Sequence, residues 1–150
     1  MAQDPIVYGK YQLLELLARG GMGEVFKARS YGVEGFEKTL VIKRILPELS
    51  KNPRFVEMFI DEAKIAVQLQ HVNIAQVFDL GRVEDKYYIT MEFVDGCDLF
   101  TVLRTASEQD RPMPIDVAAH VAKEVLAGLD YAHHKRDDQG RPLSIIHRDI

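Results

Sequence analysis

The sequence predicts an α+β fold: a strand-rich first half carrying one long helix, then a helical second half, with the change near Asp95. Three observations carry this. Apolar, extended runs flank the glycines at 20, 21 and 23, and a β-branched run follows from Thr39. Asn52-Pro53 opens one helical repeat, because Asn is a good N-cap and Pro fits the first helical position. Pro114 opens a second, in which Ala118, Val121, Val125, Leu129 and Ala132 recur at helical spacing.

Taken in order, residues 1–10 form a lead-in. Leu13, Leu14, Leu16 and Leu17 then build a strand that enters the glycine turn, and Val25, Phe26 and Ala28 resume the extended pattern to about Ala28. A polar link runs from Ser30 to Lys38. The next strand, Thr39 to Leu46, embeds two cations, Lys43 and Arg44, and Pro47 ends it. The first long helix extends to about Gln70. Ile74 to Leu80 and Tyr87 to Phe93 are strands joined by a turn at Arg82 to Asp85. Asp95-Gly96 breaks the pattern, Leu99 to Thr105 is a short helix, and the second long helix ends near His134. A polar loop, Lys135 to Arg141, leads to an apolar run, Leu143 to Ile146, and then to His147. There is no internal repeat and no low-complexity tract.

Composition excludes several classes of function. The 150 residues are 47% hydrophobic and carry a net charge of −4 without a long Lys or Arg run, which argues against nucleic acid as a partner. The single Cys97 rules out an internal disulfide, and His133-His134 point about 100° apart on a helix, a poor chelate. The first residues lack the basic-then-apolar run of a signal peptide, and no apolar stretch reaches the roughly 18 residues of a membrane span. The expected setting is reducing and cytoplasmic.

One charge stands where an apolar residue belongs. On a wheel of the first long helix, Phe55, Met58, Phe59, Ile65, Ala66 and Leu69 fall within about 60° of Glu62. Glu62 is thus expected in the middle of the inward face, where an unpaired carboxylate costs several kcal/mol. The alternative is a helix-edge Glu that reaches solvent by bending its stem. A partner cation comes from the preceding strand, where Lys43 and Arg44 point to opposite faces and composition does not choose between them.

The glycine turn brings backbone N–H groups close to whatever lies above it, an arrangement that attracts phosphate. Its placement separates two nucleotide folds. In a dinucleotide-binding unit the glycines open a helix, whereas here Glu24-Val25-Phe26 continues as strand. The Gly-Lys-Ser/Thr ending of a P-loop is absent.

Five motifs, in order, resemble the N-terminal part of a eukaryotic-like (Hanks-type) protein serine/threonine kinase of bacterial type. They are the glycine loop Leu17 to Val25, the strand lysine in Leu40-Val41-Ile42-Lys43, the helix glutamate in Phe59-Ile60-Asp61-Glu62-Ala63 followed by His71-Val72-Asn73-Ile74, the hinge Met91 to Gly96, and the catalytic-loop opening His147-Arg148-Asp149. The resemblance covers roughly residues 8 to 150. It implies a protein-kinase-like fold: an N-lobe antiparallel sheet with one long helix over 11–94, a hinge at 92–95, and over 95–150 the first helices of a helical C-lobe cut at the catalytic loop.

The resemblance also implies roles. It makes Lys43 the partner of Glu62, the pair holding the α- and β-phosphates of ATP. The ATP-binding set is Leu17 and Ala18, the backbone of Gly20, Gly21 and Gly23, Val25 and Val41 about the adenine, Met91 as gatekeeper, the backbone of Glu92 and Val94 at the adenine edge, and Asp98 at the ribose. Met91 is equally at home as a core residue, and Asp98 as an N-cap before Leu99. Asp149 would accept the proton of a substrate Ser or Thr hydroxyl. Arg148, before it, would be neutralised by a phosphate on an activation loop, a regulatory switch. Cys97 is a small filler in a turn or a thiol shielded by ATP.

The sequence departs from the family at Ala18, where the first glycine stands, at Val41, where Ala is usual, and at Val72, where Pro is commoner. The Asn and Asp-Phe-Gly that hold Mg²⁺ in the family are expected beyond Ile150, so no metal ligand is assigned. The chain reads as a truncated piece, inactive alone, whose second long helix leaves apolar surface uncovered. The expected partners are ATP and a protein substrate. The competing reading is a catalytically inactive, kinase-like nucleotide-binding or regulatory module.

Overall fold

Alternating side chains build the first layer of the structure, a computed structural model that describes residues 5–21 and 23–147. Six antiparallel strands form one sheet: β1 (Ile6–Tyr8), β2 (Tyr11–Gly20), β3 (Gly23–Tyr31), β4 (Glu37–Ile45), β5 (Val77–Val83) and β6 (Lys86–Met91). Their order across the sheet is β1-β2-β3-β4-β6-β5. The expected link at 30–38 is shorter than its polar composition suggests. β3 runs on to Tyr31 and β4 starts at Glu37, leaving a single 3-10 turn, Val33–Gly35, between them.

The lead-in expected over residues 1–10 contains the strand β1. Ile6 pairs with Leu13 and Tyr8 with Tyr11, and Tyr8 is buried. Three residues are too few to show a period. Their pairing is visible only once β2 is in place.

The sheet buries apolar side chains on both faces. Leu40 and Ile42 of β4 join Phe26 and Ala28 of β3, Tyr8, Tyr11, Leu13 and Tyr88 in one cluster. Ile45 and Ile89, of opposite parity, join Phe59, Ala63 and Val77 in another. The second cluster is where the helix α1 (Pro53–Ala66) packs. Asn52 caps it as expected, its Oδ1 accepting from the N–H of Arg54 at 3.1 Å, and Pro53 takes the first position. The helix ends at Ala66, about a turn before the expected Gln70.

The remaining helices are α2 (Leu99–Glu108) and α3 (Ile115–His134). The described chain divides into two compact units. The first comprises residues up to 70 and 75–93, and the second comprises 71–74 and the residues from 94 onward. Within the second unit, the 71–74 segment lies on α3. Asn73 Nδ2 donates to the carbonyl of Glu124 at 2.9 Å and to its carboxylate at 2.8 Å, and His71 stacks on Tyr131 with ring centroids 5.1 Å apart. Gly128 makes room for this, since the carbonyl of Asn73 would lie 3.4 Å from a Cβ there. α3 exposes Val125 and Leu126. Among the described residues no helix is long and apolar enough to cross a membrane.

Candidate functional site

Strand parity decides which groups face one another. Val25 stands opposite Lys43, Gly23 opposite Ile45, and Val41 opposite Met91. These residues share the sheet face on which α1 packs. From that face Lys43 Nζ reaches Glu62 Oε1 in a hydrogen-bonded ion pair. The choice between the two cations is thereby made. Arg44 is of opposite parity and pairs instead with Glu24, Nε to Oε2, at 2.8 Å.

Glu62 does not sit at the centre of the inward face. Its side chain is 45% exposed, and Met58 and Ile65, expected inward, are also exposed. The buried stripe of α1 is centred on Phe59 and Ala63, with Phe55, Val56 and Ala66 beside it. That centre lies about 70° around the wheel from Glu62. The wheel placed Glu62 within the apolar arc but could not locate the arc's midpoint, because Met58 and Ile65 widened it. Glu62 thus stands at the edge of the apolar arc, as the alternative had it, yet it is paired with Lys43 and not turned away to solvent. A pair this exposed contributes little to stability, though it fixes where the Lys43 ammonium sits.

The glycines of the turn do different work. Gly21 takes φ +54°, the left-handed region. Gly23 allows close approach, since a Cβ there would lie 2.9 Å from the carbonyl oxygen of Arg44 and 3.4 Å from Cγ of Lys43. Among the described residues nothing lies within 4 Å of where a Cβ would stand at Gly20 or Gly21, and both are exposed. Leu17 and Ala18 on β2 are exposed, and Ala18 pairs with Val25 next to a bulge.

At the end of β6, the N–H of Glu92 donates to the carbonyl of Gln76 at 2.8 Å, while its carboxylate accepts from the N–H of Gln76 at 3.1 Å. Val94 and Asp98 belong to the second unit. Asp98 caps α2, accepting from the Thr101 N–H at 2.7 Å and from its hydroxyl at 3.1 Å. These bonds, the backbone one foremost, hold its carboxyl below the usual carboxylate range. Each oxygen keeps a second lone pair, so capping does not exhaust it. Cys97 is exposed. Arg148 and Asp149 lie outside the described residues, as does Met22.

Sequence reasoning missed the Glu24–Arg44 pair. Glu24 is 8% exposed, a buried carboxylate hidden inside the glycine motif. Its signal was available: Arg44 needed a partner on the face that Lys43 does not use.

Comparison with known proteins places these features. The family model "Protein kinase domain" matches residues 11–150. The chain is 47% identical over 143 residues to Tyrosine-protein kinase MasK of Myxococcus xanthus, covering 95% of this chain and 22% of that protein. It is 36% identical to Serine/threonine-protein kinase PksC of Streptomyces coelicolor, covering 95% and 24%. The crystal structure of the Mycobacterium tuberculosis PknI kinase domain superposes with a TM-score of 0.66 at 24% identity, covering 93% of this chain and 56% of that one. That likeness concerns the fold, which is protein-kinase-like. The chain spans about a quarter or less of the length of these curated relatives.

Proposed function

The chain belongs to the protein kinase domain family, and on that premise we propose that the whole protein transfers a phosphoryl group from ATP to Ser or Thr hydroxyls of a protein substrate. The observation that carries the reading is the Lys43–Glu62 pair on the sheet face beneath the glycine turn. ATP supplies the phosphoryl group. The residues suit its triphosphate: an ammonium held in place, exposed glycines in the turn, and no side chain at Gly23.

In this reading Lys43 binds the α- and β-phosphates, Glu62 keeps it extended, and the N–H groups of Gly20 to Gly23 cover the phosphates. Val25 and Val41 enclose the adenine, with Met91 behind it. The N–H of Glu92 is engaged with Gln76, so its part in holding the adenine falls to its carbonyl; for Val94 the part rests on the family's hinge motif alone. Asp98 meets the ribose with the lone pairs that Thr101 leaves. Asp149 takes the proton of the acceptor hydroxyl, and Arg148 links activity to loop phosphorylation. The family's chemistry also uses Mg²⁺. Among the described residues no cluster of three His, Cys, Asp or Glu side chains could hold an ion. The proposed setting is the cytoplasm.

A second acceptor is in view, because the relative 47% identical to this chain is named a tyrosine kinase. Incubation of the whole protein with γ-labelled ATP and phosphoamino-acid analysis tests both. Phosphoserine or phosphothreonine, lost in Lys43→Met, is expected. Phosphotyrosine alone reassigns the acceptor. Nucleotide binding without transfer supports an inactive binding module, and no nucleotide binding overturns the reading.

A further inference from the structure

The sheet face opposite Lys43 carries a row of alternating charge. Arg19 of β2 stands opposite Glu24 of β3, and Glu24 stands opposite Arg44 of β4. Glu24 Oε2 accepts from Arg44 Nε at 2.8 Å, and Glu24 Oε1 lies 3.6 Å from Arg19 Nε. Arg19 continues to Glu48 Oε1 at 3.4 Å. Glu24 and Arg44 are largely buried, their side chains 10% and 20% exposed, and the Arg44 guanidinium stands 4.6 Å from the Phe26 ring centre.

We infer that the Arg19–Glu24–Arg44 row is a positioning device that sets the height of the glycine turn over Lys43. This rests on the functional reading above. The site face cannot hold the turn itself. Gly23 offers no side chain there, Lys43 is committed to Glu62, and among the described residues nothing lies within 4 Å of a Cβ position at Gly20 or Gly21. The backbone ladder is weakened as well, because the register of β2 on β3 shifts between Leu16 and Ala18. The apolar cluster on the other face begins only at Phe26. Between Phe26 and the turn, the row adds a side-chain link across three strands to the backbone ladder. Directly opposed charges are the units that fix cross-strand pairing, and a buried carboxylate deprived of its partner is driven to move toward water. Arg44 is also the residue whose carbonyl abuts Gly23. Its side chain and its backbone therefore grip β3 at adjacent positions, Glu24 and Gly23. The neighbouring residue on β4 is Lys43.

Two measurements on the whole protein decide it. The first is amide hydrogen exchange, which needs no bound nucleotide. In Arg44→Met and Glu24→Gln, exchange at residues 23–25 is expected to quicken about tenfold while residues 28–30 stay within about twofold. The second is steady-state kinetics. The same variants should raise KM for ATP about tenfold and leave KM for the protein substrate within about twofold, because the proposed role of the turn is to cover the ATP phosphates. The exchanged pair Glu24→Arg with Arg44→Glu should recover both. Should Arg44→Met fail to fold, Arg44→Lys keeps the charge without the guanidinium fork and should fall between the two states. Quickening spread evenly along β3, or none at 23–25, overturns the inference. A wild-type protein that binds no ATP defeats the functional reading instead, and exchange still decides the row.

Discussion

Lys43 and Glu62 are two ends of one device, and that sets how their loss should read. Lys43→Met in the whole protein is expected to lower phosphotransfer by at least about two orders of magnitude, the scale for removing a positioned charge. Glu62→Gln should cost less, since Lys43 keeps its ammonium and loses only its anchor. The double variant should be little worse than Lys43→Met, because groups that act as a unit do not multiply their losses. Independent, multiplying losses in the cycle would separate the pair. At this scale the sequence was legible where a residue type is rare in its place. A carboxylate within an apolar arc and glycines between strands both announced themselves, and Lys43 and Glu62 do meet. The depth of Glu62 was not legible, because a wheel carries angle and no information about how far a partner surface extends. Glu24 was passed over because a charged residue inside a strand is ordinarily solvated, although Arg44 still needed a partner on its own face.

Among the elements, β5 and β6 show how one residue sets a packing distance. The Tyr88 ring lies across Gly81, its register partner. A Cβ at Gly81 would stand 2.3 Å from the Tyr88 Cζ and hydroxyl oxygen, closer than side-chain atoms approach. Tyr88 is a buried member of the aromatic cluster and meets Tyr8 and Tyr11 edge to face at 5.5 and 5.7 Å. The ring therefore has little freedom to yield. Gly81→Ala is expected to destabilise by about 1–3 kcal/mol, the usual cost of overpacking, and denaturant unfolding measures it. A loss under about 0.5 kcal/mol would mean that the ring moves freely. From sequence, Gly81 was simply a residue just past an expected strand ending at Leu80; β5 extends through it to Val83. Helices were the better-read elements. Both long helices start where expected, at Asn52-Pro53 and at Pro114, because a helix start is set locally. Strand ends depend on the neighbouring strand and so drift by several residues, as at Tyr31, Glu37 and Val77.

The whole molecule divides into two compact units, and its aromatic cluster belongs to the first alone. Burial is the main cause that raises the phenols of Tyr8, Tyr11 and Tyr88 above their ordinary value of 10.0. At Tyr8 the guanidinium of Arg44 pulls the other way. The sign of the linkage follows. The folded phenols hold their protons to higher pH than the unfolded ones. Their contribution is therefore complete below pH 10 and is lost as pH rises from there through the raised values. The first unit is thus expected to lose stability above pH 10. Tyr8 allows the cause to be isolated, because its hydroxyl is buried without a hydrogen-bond partner among the described residues. Tyr8→Phe removes an unsatisfied polar atom and keeps the ring against Tyr88. It should stabilise the protein by about 1 kcal/mol at pH 8 and make the decline above pH 10 shallower. Melting temperatures of both proteins between pH 8 and 11 provide the measurement. A Tyr8→Phe protein that is less stable at pH 8 would show that the hydroxyl is satisfied. One that is more stable at pH 8 yet declines as steeply would place the alkaline sensitivity on Tyr11 and Tyr88.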